Sequence, residues 1–373
     1  MKVRIKILVR WLIALVSLVG VILAVYFAIL FLTVNPPSME METARKAVSK
    51  AKKAHADVYA PEFYVTAKQL LDQALLEWRR QNEFYFFQRD FTKCKNLALK
   101  ATIKGEESYS KSGVNKNNLR DNYLRDVKDI NEKLETYHRI FISLPLSSRV
   151  RKDYEFGKLN LAESLSAFEK NDYKTASAKL AKCKSRIAQS DLLANGFLKE
   201  CFSNYNNWRT WYNNAIERSK NDGINVIIVN KLEHKLYVYY KGDKIAEFDV
   251  EFGKNWLGPK IVRGDNATPE GEYRIVKKKD SHDTRYYKAM CINYPNERDS
   301  QRLAELKRKG TIAKNCNTGG LIELHGDGGK GVDWTEGCIA LRNSEMERLF
   351  QMVPEGTPIT IIGSLKPLND ILN

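Results

Sequence analysis

The apolar positions fall into three regimes along the chain. From Trp11 to Val34 they are almost continuous, in WLIALVSLVGVILAVYFAILFLTV, and residues 11–39 carry no charged side chain. A bilayer span needs about 20 apolar residues, whereas the apolar part of a cleavable signal runs to about 7–15. Residues 11–34 are therefore expected to form a retained transmembrane helix. Between 40 and 220 the apolar positions recur at helical spacing, as in Leu70, Leu71, Ala74, Leu75 and Trp78, and again in Leu161, Leu165 and Phe168. Pro61 and Pro145 are the only prolines in that stretch, which favours long helices, the first starting at Pro61 and a break falling at Leu144–Ser148. From about Asn221 the pattern shortens to alternating runs separated by turns. Strands are expected at Ile224–Val229, Lys235–Tyr240, Ile245–Phe252, Glu272–Lys277, Leu321–Leu324 and Thr357–Ile362, with Lys241-Gly242-Asp243 as a hairpin turn.

The expected fold is thus multidomain: a basic segment at 1–10, a transmembrane signal anchor at 11–34, an all-α stalk of helical hairpins at 40–220, and a mainly β, sandwich-like domain at 223–363. Within the stalk, Tyr64, Lys68, Leu71, Leu75 and Trp78 align at a fixed offset with Tyr154, Lys158, Leu161, Leu165 and Phe168, and Lys-Cys-Lys recurs at 93–95 and 182–184. Two related hairpins account for this pattern. The stalk either spaces the C-terminal domain from the membrane or binds a protein partner. The aromatic runs Phe84–Phe87 and Trp208, Trp211, Tyr212 are expected to pack helices together.

Charge refines this picture. Lys2, Arg4, Lys6 and Arg10 precede the span while Glu40 and Glu42 follow it, so the N-terminus should be cytoplasmic and the remainder extracytoplasmic. The formal net charge of +16 calls for an anionic partner, and in that compartment it points to cell-wall polymer or lipid headgroups rather than nucleic acid. The six cysteines form no CxxC pair, so neither a zinc ribbon nor a thioredoxin-type site is available; no motif implies a metal or organic cofactor. Cys94 and Cys183, at matching repeat positions, either pair as a disulfide or remain buried thiols.

Candidate chemistry lies near the C-terminus. An apolar run ends at His325-Gly326, and Thr335-Glu336-Gly337-Cys338-Ile339 follows a glycine-rich loop. A cysteine becomes a strong nucleophile when an imidazole takes its proton and backbone N–H groups hold the developing oxyanion. Taken alone, a His and a Cys so spaced are more often a buried histidine and a structural cysteine.

The ordered motifs Lys235-Leu236-Tyr237-Val238-Tyr239, Gly264-Asp265-x-Ala267-Thr268-Pro269-x-Gly271, Tyr294-Pro295-Asn296, Ile322-x-Leu324-His325-Gly326 and Thr335-x-Gly337-Cys338-Ile339 resemble the L,D-transpeptidase catalytic domain of the YkuD type over residues 223–363. The resemblance implies a cysteine enzyme that acts on peptidoglycan stem peptides. Cys338 would attack after the L-centre of diaminopimelate, release D-Ala and pass the acyl group to an amine. By position it makes Cys338 the nucleophile, His325 the base and Gly326 the orienter of the imidazole, with the Gly337 and Cys338 amides as oxyanion hole. Asn343, Thr335, Arg285 and Tyr286 are then candidates for substrate binding.

Three departures qualify the match. Glu336 stands where the family usually has a second histidine. Ala340 replaces the usual arginine, leaving Arg342 as candidate carboxylate ligand. The loop Asp327–Trp334 is short. Acylation chemistry is retained, but the acceptor is left open between a stem peptide, a protein and water, the last giving a hydrolase. A non-catalytic peptidoglycan-binding scaffold is the remaining alternative.

Overall fold

A computed structural model describes residues 2–33 and 35–372, apart from the side chains of residues 2–4, 30, 32 and 33. The chain divides into two compact units, Met1–Asp129 with Asn160–Ala181, and Ile130–Leu159 with Lys182–Asn373.

The first unit begins with helix α1 (Lys2–Thr33), in which Ile5–Ile29 is long and apolar enough to cross a membrane and is nowhere buried against protein. Helices α2 (Ser38–Lys53), α3 (Ala56–Tyr59) and α4 (Pro61–Asn82) follow, then the start of the 50-residue α5 (Thr92–Phe141). Small residues set their packing. Ala44 of α2, Ala67 and Ala74 of α4, and Ala98 and Ala101 of α5 are fully buried, so the helix backbones approach closely around Met41, Val48 and Leu71. Cys94 lies in this core as a free thiol that donates to the Ala74 carbonyl at 3.4 Å. Cys183, in the second unit, is likewise free and buried. The disulfide considered for this pair is therefore not formed, and desolvation raises both thiol pKa values, as expected of inert core cysteines.

The expected packing role of Phe84–Phe87 holds only in part. These residues sit in a turn whose Phe86–Gln88 form a single 3₁₀ turn; the rings of Phe86 and Phe87 meet α1, while Phe84, Tyr85 and much of Phe87 stay exposed.

The second unit contains parts of α6 (Ser148–Glu169) and α7 (Tyr173–Phe202), helix α8 (Tyr205–Asp222), and a curled β domain. The strands are β1 (Asn225–Asn230), β2 (Lys235–Tyr240), β3 (Asp243–Asp249), β4 (Gly271–Lys279), β5 (Ala289–Ile292), β6 (Glu323–His325), β7 (Ile339–Ala340) and β8 (Pro358–Ile362), in the order β3-β2-β1-β8-β4-β5-β6-β7. Strand β4 makes the curl. Its first half, Gly271–Arg274, pairs with β8, its second half pairs with β5, and the register shifts between Ile275 and Lys277. One strand thereby serves two sheet segments, which bends the layer around its core. Helices α9 (Glu297–Arg308), α10 (Asn343–Met352) and α11 (Leu368–Leu372) complete the unit. Asn296 closes a capping box at the start of α9.

Helix α8 is pinned to this domain by a buried indole. Trp208 is wholly buried, and a Cβ on Gly363 would come within 2.3 Å of it. Its Nε1 donates to Glu270 Oε2 at 3.0 Å, while Glu270 Oε1 accepts from Lys231 Nζ at 2.9 Å. Lys231 Nζ also donates to the carbonyls of Gly258 (2.6 Å) and Thr268 (2.9 Å), which satisfies all three of its N–H groups. The ion pair is entirely buried, and desolvation pulls the Lys231 pKa down against the attraction of Glu270.

Strands β3 and β6 depart from expectation for identifiable reasons. Strand β3 stops at Asp249 because Glu251 leaves β2 and bridges to Ala340. Strand β6 starts only at Glu323, because Leu321 turns the chain with φ of 56°.

Candidate active site

The two residues expected to react are brought together by the parallel pairing of β6 with β7, in which Leu324 faces Ile339 and His325 faces Ala340. His325 ends β6 and Cys338 immediately precedes β7, so one short ladder fixes both. The turn before Cys338 is closed by Thr335, whose Oγ1 donates to the Cys338 carbonyl at 2.7 Å and accepts from the Gly337 N–H at 3.2 Å. Gly337 has φ of 131°, and a Cβ there would lie 2.5 Å from the Ala267 carbonyl. Only glycine fits that approach. Ala267 is itself set by the Asp265 carboxylate, which accepts from the N–H groups of Ile261, Val262 and Ala267 and from Lys260 Nζ. The family-like Gly-Asp-x-Ala-Thr-Pro segment thus shapes the cysteine turn from behind.

Cys338 is half-buried, and its thiol points at the Leu321 carbonyl, 3.6 Å away. His325 is fully buried. Its Nδ1 lies 2.6 Å from the carbonyl oxygen of Gly326, so Nδ1–H donates and Nε2 is left as the acceptor. Nε2 has no hydrogen-bond partner among the described residues. The Tyr286 ring stacks on the imidazole at 3.6 Å and 8°, and Trp334 meets it edge-on at 5.8 Å. Arg285 Nη2 donates to the Tyr286 hydroxyl at 2.5 Å, with the guanidinium 4.8 Å from the ring centre.

Burial governs the electrostatics. It pushes the Cys338 thiol up to about 11, with the Glu323 carboxylate acting in the same direction and the Glu323 backbone, Arg285 and Lys260 partly offsetting it. It pushes the His325 pKa below the usual 6.5, against the Gly326 hydrogen bond, which raises it. At neutral pH the pair is therefore a thiol and a neutral imidazole rather than a thiolate–imidazolium pair.

The remaining candidates fall in different places. Asn343 Oδ1 accepts from the Asp327 N–H at 2.6 Å and so fixes the start of the short loop after His325. Glu336 is exposed beside Cys338. Arg342 lines a cavity of about 310 Å³ with His234, Asp249, Glu251 and Asp333, and neither Cys338 nor His325 belongs to that lining. His234, read from sequence as an ordinary histidine, pairs with Asp333 at 2.9 Å, and Asp333 also accepts from the Phe252 N–H. Sequence reasoning missed Leu321, 83% exposed next to the thiol, and the stacking of Tyr286 on His325. A leucine after a Gly-Gly pair was the available signal for the first. No group of three or more His, Cys, Asp or Glu able to hold a metal occurs among the described residues.

With this geometry in place, the L,D-transpeptidase catalytic domain family (YkuD) matches residues 224–361. Those residues form an L,D-transpeptidase catalytic domain. The domain is 33% identical over 97 residues to "Putative L,D-transpeptidase YafK" of Escherichia coli (strain K12), a match covering 26% of this chain and 32% of that protein. It is 28% identical over 152 residues to "Putative L,D-transpeptidase YqjB" of Bacillus subtilis (strain 168), covering 39% of this chain and 75% of that one. The solved structure of Bdellovibrio bacteriovorus Bd1075 is 25% identical, with a TM-score of 0.30 over 39% of this chain and 51% of the other. The chain spans about a third of the length of YafK. Enzymes of this family act on peptidoglycan peptides.

Proposed function

We propose that the chain is a peptidoglycan L,D-transpeptidase, anchored in a bacterial inner membrane through residues 11–34 with its catalytic domain in the periplasm. The observation that carries this reading is the buried imidazole of His325, whose tautomer is set by Gly326 and whose free Nε2 belongs to a residue held beside Cys338 by one strand pair.

In the proposed reaction Cys338 Sγ attacks the carbonyl of the L-centre of diaminopimelate in a stem tetrapeptide, and the thiol proton passes to His325 Nε2. The amides of Gly337 and Cys338 hold the oxyanion. Gly337 N–H exchanges its long bond to Thr335 Oγ1 for that oxygen. As the C–N bond breaks, the His325 proton goes to the departing D-Ala amine and a thioester remains. A second amine then attacks the thioester, gives its proton to His325 and restores the thiol. Because both partners start neutral, no charge is buried before attack, and Gly326 stabilises the imidazolium as it forms.

A hydrolase outcome is favoured by Glu336 standing exposed at the cysteine turn and by Ala340, which leaves no arginine two residues beyond the nucleophile. The discriminating experiment incubates the full chain in detergent micelles, and its Cys338→Ala variant, with purified disaccharide tetrapeptide and reads products by mass spectrometry. Cross-linked dimers that vanish in the variant support transfer, tripeptide alone supports hydrolysis, and Cys338-independent products overturn both.

A further inference from the structure

We propose that the Phe84–Phe87 turn is a second membrane contact, seated in the headgroup layer of an anionic bilayer beside the C-terminal end of α1. This rests on the reading of α1 as a bilayer span. Four consecutive large aromatics form the turn between α4 and α5. Tyr85 is 73% exposed, Phe84 and Phe87 each 43%. Contiguous exposed rings of this kind are costly in water and mark a surface that is covered in use.

Their neighbours say by what. Phe86 lies 6.0 Å from the ring of Phe27 and 5.9 Å from that of Phe31, and Phe87 lies 5.5 Å from Phe27. Tyr26 adds an edge contact to Phe27 at 5.8 Å. Phe27 and Phe31 flank the end of the apolar stretch Ile5–Ile29. The turn therefore sits at the level where hydrocarbon gives way to headgroups, where aromatic rings with an apolar body and a polar edge accumulate. Tyr85 stacks on Phe87 at 5.7 Å, which presents the two as one slab.

The rim is cationic. Residues 79–95 contain Arg79, Arg80, Arg89, Lys93 and Lys95 against Glu83 and Asp90. Arg80 and Lys93 lean on Glu77, and Lys95 on Glu40. Arg79 and Arg89 have no carboxylate partner among the described residues; Arg89 instead donates to the carbonyls of Phe84 (3.0 Å) and Asn82 (3.2 Å), tying its side chain to the turn. An aromatic wedge with two uncompensated guanidinium groups fits anionic lipid better than an apolar protein groove.

The test places the photoreactive residue p-benzoylphenylalanine singly at Tyr85, Phe87, Val19 and Tyr240 of the full chain, reconstituted in phosphatidylethanolamine–phosphatidylglycerol vesicles. Adducts are identified by mass spectrometry after irradiation. Positions 85 and 87 should yield roughly tenfold more lipid adduct than the exposed Tyr240, and less in neutral phosphatidylcholine vesicles, whereas Val19 should be indifferent to headgroup. Lipid adducts at Val19 with none at 85 and 87 overturn the second contact and leave the span standing. No lipid adduct at Val19 overturns both. Protein adducts at 85 and 87 assign the turn to a protein partner instead, and equal yields in neutral vesicles remove the anionic preference.

Discussion

At the scale of single residues, the site depends on how tightly one imidazole is held. Tyr286 covers one face of His325 at 3.6 Å, and Gly326 fixes the tautomer. Aromatic stacking is worth about 0.5–1.5 kcal/mol beyond area burial, so Tyr286→Ala should lower the acylation rate about 3- to 10-fold, with Tyr286→Phe close to the parent. Stopped-flow acylation rates on tetrapeptide check this. The pH profile tests the resting state. His325 is lowered below 6.5, so its inactive protonated form appears only below that value, and Cys338 at about 11 loses its proton only far to the alkaline side. Acylation should be flat through neutrality and fall on the acid side below pH 6.5. A rise through pH 7–9 would instead mean that a preformed thiolate is the nucleophile. The juxtaposition of His325 with Cys338 was legible because each closes a motif whose spacing survives in the chain. Tyr286 was legible only as a neighbour of the groove, since stacking leaves no spacing signature. Arg342, expected to hold substrate carboxylate, lines the cavity with His234 and Asp333 as the residue that caps α10.

At the scale of elements, the buried connection from α8 to the sheet is the most exacting feature. Trp208 fills its pocket and gives Glu270 its second hydrogen bond. Trp208→Ala should cost about 3–5 kcal/mol, read as a loss of thermal stability by calorimetry of the full chain. Lys231→Met should be comparably damaging, about 3–5 kcal/mol, because it strands the Glu270 carboxylate, while the double change Lys231→Met with Glu270→Leu should recover most of that loss. Failure of the double variant to recover would mean that the Gly258 and Thr268 carbonyls and the Trp208 N–H left unpaired, not the charge, set the cost. Most strands were legible, β2 to the residue, because one face is apolar and alternation is a period-two signal. The ends of β3 and β6 were not, since Glu251 leaves for a long-range bridge to Ala340 and Leu321 takes a left-handed turn that its residue type disfavours. The link from Trp208 to Lys231 and Glu270 joins residues far apart in sequence, which pattern cannot reveal.

At the scale of the whole molecule, the proposed location rests on the apolar helix and the basic balance. A chain beginning at Glu40 should remain in the supernatant after alkaline carbonate treatment of membranes, while the full chain should stay in the pellet; release of the full chain would contradict a retained span. The N-terminal apolar helix was legible because Ile5–Ile29 is uniformly apolar, a property of composition alone. The exposure of Phe84, Tyr85 and Phe87 was not, because rings that pack helices and rings that meet lipid share one sequence pattern.

The central claim, that Cys338 carries the acyl group, is tested most directly by intact-protein mass spectrometry of the full chain quenched in acid during turnover of disaccharide tetrapeptide. A species heavier by one disaccharide-tripeptide acyl group is expected, mapped to the peptide containing Cys338 and absent from Cys338→Ala. Turnover without such an adduct, or an adduct that persists in Cys338→Ala, would contradict it.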